Sequence, residues 1–274
     1  MPSACVIITT FNNLPLLSKG LRGYLRQSSK DFNLIIADDG SKDETRQWID
    51  KFSQDAADVG IHVQHVWHED LGFRRAMILN EAVRQSSTEP LIIFSDGDCI
   101  PPETFVENHI RVHEPNSFHV AGAYRLDQSS SETISEQDVD AGSFEQLAND
   151  EHRKDLRRRW RKSHCGTLFR MKNRPKVLGL NLAIDRNLFE AVNGFDEHFI
   201  GYGLEDSDLR DRVMRCNPRP HVKNLYGTND VFHLWHPENS TLKRRQLPTW
   251  DYYQQRRPVR CEMGLTSAEL DLES

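Results

Sequence analysis

The sequence of 274 residues predicts an α/β fold with a mostly parallel central sheet flanked by helices, and three features predict it. Short β-branched runs alternate with stretches of helical apolar spacing. Those runs are nearly continuous in apolar character, which suits parallel strands covered on both faces. Three of them also end in polar residues, as expected where open α/β sheets bind ligands beyond the carboxyl ends of their strands.

The first run, residues 5–11 (CVIITTF), is a strand, and Leu14, Leu17, Leu21 and Leu25 make the helix after it. A second strand over 33–38 precedes Ser41 and Glu44, which have capping-box spacing, and the apolar stripe of Trp48, Ile49 and Phe52. Residues 62–67 read as a third strand, 75–84 as a third helix and 90–95 (PLIIFS) as a fourth strand. The Ser-, Asp- and Glu-rich segment 127–142 reads as a solvated loop or insertion. A strongly basic stretch follows over 151–162, with the reading of a solvated helical face. An apolar strand over 177–184, a short helix over 186–192 stopped by Asn193-Gly194, and a helix over 205–215 with Leu209 and Val213 inward complete the order.

Hydrophobic residues make up 37% and charged residues 28%, so a chain this long can bury a sizeable core without disulfides or a structural metal. A formal charge of -6 argues against nucleic acid as a partner. Five cysteines with no CxxC pair fit a reducing, cytoplasmic compartment, and no apolar stretch is long enough to span a bilayer. The basic residues 153–162 suit peripheral contact with an anionic membrane.

Polar residues end the first run at Thr9, Thr10, Phe11 and Asn12, the second at Asp38, Asp39, Gly40 and Ser41, and the fourth at Asp96, Gly97 and Asp98. In parallel strands these patches share one rim. Strand periodicity points Asp96 and Asp98 the same way, toward one hard cation or that cation and a neighbouring hydroxyl, and Gly97 admits close backbone approach. One or two carboxylates on Mg²⁺ or Mn²⁺ leave sites open for phosphate oxygens. Asp38 reads as bonding its own turn. Arg74 and Arg75 open a helix, where the dipole disfavours cations, and either can fork onto an anion or pair with Glu69 or Asp70. Glu205 and Asp206 sit at a loop-to-helix junction after Gly203, where the helix terminus favours the ionised form that a general base needs. His233 and His236 form HxxH, whereas the histidines at 62, 65 and 68 read as ordinary strand positions. Cys99 reads as a small packed hydrophobe, and Trp235, Trp250, Tyr252 and Tyr253 either pack or offer their ring faces to a ligand.

The array VIITTFNN (6–13), IIADDGS (35–41), GFRRAMILN (72–80) and IIFSDGDCIPP (92–102) resembles the inverting glycosyltransferases of family 2, with the Rossmann-like GT-A fold. The segment 179–209 resembles the acceptor-side segment that this family shares with β-1,4-galactosyltransferases. The resemblance implies one domain over 1–274, with a nucleotide-sugar half at 1–126, a loop or insertion at 127–165, an acceptor half at 166–245 and a tail at 246–274. It implies a nucleoside diphosphate sugar donor, UDP first, with Thr9, Thr10, Phe11 and Asp39 at the nucleobase end and Asp96 near the ribose. It implies Mn²⁺ or Mg²⁺ on Asp98 with His233 or His236, Asp206 as base and Glu205 on an acceptor hydroxyl. A glycan or glycolipid acceptor in bacterial surface polysaccharide synthesis is the expected context. Two competing enzyme classes lack their phosphate loops: TTFNNLP has no glycine for a nucleotidyltransferase, and no GxGxxG follows the first strand for a dinucleotide oxidoreductase. A carbohydrate-binding protein without turnover is the remaining alternative.

Overall fold

The computed structural model describes residues 3–237, 242–255 and 257–266. Of the expected tail at 246–274, residue 256 and residues 267–274 lie outside them. The chain runs β1 (Ala4–Thr10), α1 (Leu14–Leu25), β2 (Phe32–Asp38), α2 (Asp43–Asp58), β3 (His62–Trp67), α3 (Arg75–Gln85) and β4 (Leu91–Asp96). It continues through β5 (Cys99–Ile100), α4 (Phe105–Val112), β6 (Ser117–Val120) and β7 (Ala123–Arg125). Helices α5 (Gln128–Thr133), α6 (Glu136–Ala141) and α7 (Asp150–Leu168) precede β8 (Asn181–Asp185), α8 (Arg186–Ala191) and α9 (Glu205–Val213). Strands β9 (His221–Asn224) and β10 (Val231–His233) and helix α10 (Trp250–Gln254) follow.

Seven strands form the main sheet in the order β3-β2-β1-β4-β8-β6-β9. The first four are mutually parallel, as expected, while β8 is antiparallel to both β4 and β6. Side-chain alternation divides the core into two layers. Cys5 and Ile7 pack on one face with Ile35, Ala37, Ile92 and Phe94, and Val6 and Ile8 on the other with Leu34, Ile36, Leu91 and Ile93. In register, Thr10 stands beside Asp38 and Thr9 beside Asp96, so the three polar strand ends share one rim. A small sheet, β5-β10-β7, lies beyond that rim and pairs His233 with Cys99.

Three local expectations are corrected. Segment 127–142 is not a loop, because its Ser and Asp residues cap helices: Asp127 accepts from the Ser130 N–H, and Ser135 with Asp138 closes a capping box. Buried Ile134 and Val139, with an ion pair from Arg22 to Asp140, hold these helices on the body. Ser41 forms no capping box; its hydroxyl accepts from the Asn12 N–H at 2.8 Å, and α2 begins at Asp43. The strand expected over 177–184 is only Asn181–Asp185, since Val177 and Leu180 owe their apolar character to burial within a loop. The helix stop at Asn193 and Gly194 is present, with both residues at positive φ.

Candidate active site

The rim of the sheet carries two linked clusters of charge. Arg75, 9% exposed, opens α3 and sends its guanidinium across to three carboxylates. Its Nη2 donates to Asp96 Oδ1 at 2.8 Å, and its Nη1 donates to Asp206 Oδ1 at 3.1 Å and Glu205 Oε1 at 3.3 Å. Asp96 Oδ1 also accepts from the Thr9 hydroxyl at 2.8 Å. Strand β1, strand β4, helix α3 and helix α9 are therefore tied at one guanidinium. Arg74, which the sequence left level with Arg75, turns its guanidinium to the Glu69 carbonyl and the Met77 sulfur.

Burial pushes the Glu205 carboxyl up to about 7, with repulsion from Asp206 adding to it and Arg75 opposing. Asp206 is raised for the same first reason, against the pull of Arg75. The expectation that a helix N-terminus would favour their ionised forms is thus outweighed by loss of water. One Glu205 oxygen, Oε2, is buried with no hydrogen-bond partner, and the Asp206 side chain is the more exposed of the two. Gly203 and Leu204, both at positive φ, turn the chain into α9, and the Gly203 carbonyl accepts from the Thr249 hydroxyl at 2.9 Å.

The second cluster is Asp98, His233 and His236. His236 Nε2 is 3.0 Å from Asp98 Oδ2 and His233 Nε2 is 3.8 Å from it. One ligand atom from each residue lies within 4.8 Å of the other two, the spacing of donors around one cation. Chain direction explains why HxxH works here: β10 ends at His233, so His236 curls back to the same carboxylate rather than following strand geometry. The Leu234 N–H donates to the Asp98 carbonyl at 2.9 Å, which fixes the two segments together. Burial works to raise the Asp98 carboxyl, yet the hydrogen bond from His236 and the charge of His233 hold it below the usual range. The bond to Asp98 lifts His236 to about 9, while burial lowers His233. Asp98 Oδ1 also accepts from the buried Cys99 thiol at 3.3 Å.

At the end of β2, buried Asp39 accepts from the Arg74 N–H at 2.9 Å, and His68 Nε2 lies 2.5 Å from its other oxygen. Asp38 bonds its own turn through the Ser41 N–H, as expected, and His65 Nε2 lies 3.0 Å from it. The reading of His65 and His68 as ordinary strand positions is corrected, because their carboxylate partners come from the neighbouring strand end and not from spacing along their own. Thr10 is buried, and Phe11 stands 48% exposed at the opening. Phe73 and Tyr202, both exposed, meet edge to face at 5.8 Å on the rim. Tyr252 and Tyr253 are structural, their hydroxyls donating to Asp196 and Asp211. Sequence reading missed Gly179: a Cβ there would sit 2.3 Å from Asp206 Oδ2.

A Rossmann-like half whose strand ends converge with a C-terminal helix on clustered carboxylates defines the GT-A class of glycosyltransferase folds. The family model described as "Glycosyl transferase family 2" matches residues 5–177, and the chain belongs to that family. A second model, "N-terminal domain of galactosyltransferase", matches residues 159–237. Validoxylamine A glucosyltransferase of Streptomyces hygroscopicus subsp. jinggangensis is 27% identical over 78% of this chain and 51% of its own. The chain spans about half the length of the curated relatives of that name. The mannosyltransferase PcManGT from Pyrobaculum calidifontis, solved with GDP-Man and Mn²⁺, shares the fold at a TM-score of 0.56 and 16% identity, over 87% of this chain and 58% of its own. GalNAc-T7, solved with UDP, GalNAc and Mn²⁺, gives 0.54 and 12%, over 88% and 45%.

Proposed function

We propose that the chain transfers a sugar, with inversion, from a nucleoside diphosphate to a hydroxyl of a glycan acceptor. The observation that carries this reading is the single guanidinium of Arg75 joining Asp96 of the donor half to Asp206 of α9. In this reading Asp206 takes the proton of the acceptor hydroxyl. That oxygen attacks the anomeric carbon on the side opposite the diphosphate, and the bonding pair of the broken C–O bond leaves on the diphosphate. Burial, by raising the Asp206 carboxyl, makes it a stronger base than a solvated aspartate. Glu205, with its unpartnered buried oxygen, accepts from an acceptor hydroxyl. Arg75 keeps the two carboxylates placed and ties them to Asp96.

The donor set of Asp98, His233 and His236 fits a divalent cation that displaces the proton of His236, and neutral imidazoles suit Mn²⁺ better than Mg²⁺. When bound there, the ion offsets charge on the diphosphate oxygens. Asp39, with Thr10 at its side and Phe11 at the opening, suits a nucleobase: the carboxylate accepts a ring N–H and the aromatic face stacks. Uracil is the nucleobase we favour, in keeping with the UDP of the GalNAc-T7 complex. The acceptor in this reading is a bacterial surface polysaccharide or its lipid-linked precursor.

Thermal shifts with UDP, GDP, CMP and dTDP, each with and without Mn²⁺, test the donor half on wild type and Asp98→Asn. A ligand at a hundred times its dissociation constant stabilises by about 2.7 kcal/mol. Stabilisation by one nucleotide that requires both Mn²⁺ and Asp98 is the expected outcome. A nucleotide effect independent of both would remove the metal from the reading. The absence of any effect, with no donor hydrolysis or transfer, would favour a binding protein without turnover.

A further inference from the structure

We propose that the outer face of α7 and the turn after it form a docking surface for a bilayer rich in anionic lipid. Residues 153–176 hold eleven Lys or Arg and one acidic residue, Asp155, in a chain whose formal charge is -6. Leu156, Ser163 and Gly166 turn inward along this helix, which leaves the basic side chains facing outward. Arg158 and Arg159 are both spent on Asp155. Arg157, Arg161, Lys162, Arg170 and Lys172 are exposed and form no ion pair with a carboxylate among the described residues. Burial first, and then the charges of Arg244, Arg210, Arg174 and Arg159, disfavour the charged form of Lys176 just past the helix.

Apolar side chains sit at the tip of this basic face. Leu168 is 66%, Phe169 74% and Met171 57% exposed, and Phe169 is the most exposed large hydrophobic residue among those described. Their exposure is built by the backbone. Arg170 takes φ +52° and ends the helix, its N–H bonding the Thr167 carbonyl, while the Met171 N–H reaches back to the Gly166 carbonyl at 2.8 Å. The turn therefore holds Phe169 and Met171 outward beside Arg170 and Lys172.

Adjacent apolar tips and uncompensated cations match the two layers of a membrane surface, acyl boundary and anionic headgroup. A nucleic acid would use the cations but give Leu168, Phe169 and Met171 no apolar phase to enter, and the net negative charge of the chain opposes a long polyanion. No described helix is long and apolar enough to cross a membrane. It does not depend on the catalytic reading.

Vesicle flotation tests it, with phosphatidylcholine alone or mixed with phosphatidylglycerol, on wild type, Arg161→Glu/Lys162→Glu and Phe169→Ser/Met171→Ser. Wild type should float only with phosphatidylglycerol present and be released by high salt. Each Lys or Arg near an anionic surface contributes about fivefold, so the charge-reversal pair should bind at least about tenfold more weakly. The serine pair should also bind more weakly while retaining thermal stability and donor-dependent behaviour. Absence of wild-type binding to phosphatidylglycerol vesicles would overturn the proposal, whatever the variants do. So would vesicle binding untouched by both pairs, or binding to single-stranded RNA at the same salt that is as tight as to vesicles.

Discussion

Arg75 Nη1 donates to Asp206 Oδ1 at 3.1 Å while its Nη2 holds Asp96, so one side chain sets the spacing between β4 and α9. Burial opposes its charge, yet Asp96, Asp206 and Glu205 hold its proton more firmly than in water. Arg75→Met removes the countercharge from three carboxylates at once. Breaking a buried ion pair costs about 3–5 kcal/mol, and the carboxylates limit that by taking up protons. The variant should melt well below wild type at neutral pH, lose more than about a hundredfold in transfer, and recover part of its stability at lower pH. Arg75→Lys, a point charge without the fork, should recover stability more than turnover. A melting temperature unchanged by Arg75→Met would show that the guanidinium is not needed to hold the cluster.

Glu205 makes a pH-dependent contribution whose sign follows from its raised pKa of about 7, against an ordinary value of 4.5. Between those values the folded protein holds a proton that the unfolded chain releases. The contribution is complete below pH 4.5 and is lost as pH rises through about 7. Glu205→Gln removes that loss, so its stability relative to wild type should improve from pH 5 to pH 8, by on the order of 1 kcal/mol or more. Denaturant unfolding at the two pH values measures it. A difference that stays flat across this range would mean that the carboxyl titrates where an exposed glutamate does.

Metal binding supplies a third expectation. Removing one imidazole from a three-residue donor set should weaken Mn²⁺ by at least about tenfold, and Mn²⁺ should bind more tightly than Mg²⁺. Paramagnetic resonance titration of free Mn²⁺ reads this directly for wild type, His233→Ala and His236→Ala. Equal affinity in all three proteins would leave Asp98 and water as the whole site. Chelation of the metal should also abolish nucleotide-dependent stabilisation and lower the melting temperature only by what metal binding itself contributes, because both histidines already face Asp98 as a protein partner.

The N-terminal half was readable because its clustered polar residues sit at strand ends. Apolar runs such as 90–95 declare a buried strand, and whatever polar residues follow them must emerge at the rim, as Asp96 and Asp98 do. Glu205 and Asp206 were legible as a pair at a helix start, but their ionisation was not, since it depends on burial created by distant segments. The choice between Arg74 and Arg75 is equally a matter of tertiary direction: adjacent residues at the start of α3 point to Glu69 and to the carboxylate cluster. Strand neighbours explain the missed roles of His65 and His68, whose partners lie 27 and 29 residues away. The small sheet that returns His233 to Asp98 pairs residues more than a hundred positions apart, beyond any local pattern.

Gly179 tests whether the position of Asp206, and not its chemistry alone, governs transfer. A methyl group there would lie 2.3 Å from Asp206 Oδ2 and 2.8 Å from an Arg75 nitrogen, closer than van der Waals contact permits. A solvated carboxylate would swing aside at little cost, but this one is bonded to Arg75 and bounded by Glu205. Gly179→Ala should therefore push Asp206 out of line while leaving Asp39, Asp98 and the histidines untouched. Single-turnover transfer should fall by roughly tenfold or more, since misplacing a base by about 1 Å can cost on the order of a hundredfold. Nucleotide affinity should remain as in wild type. Asp206→Asn gives the reference, with donor binding kept and transfer lowered by about 10²–10⁴. If Gly179→Ala transfers as fast as wild type while Asp206→Asn does not, the carboxylate tolerates displacement, and the close packing at Gly179 serves the fold alone.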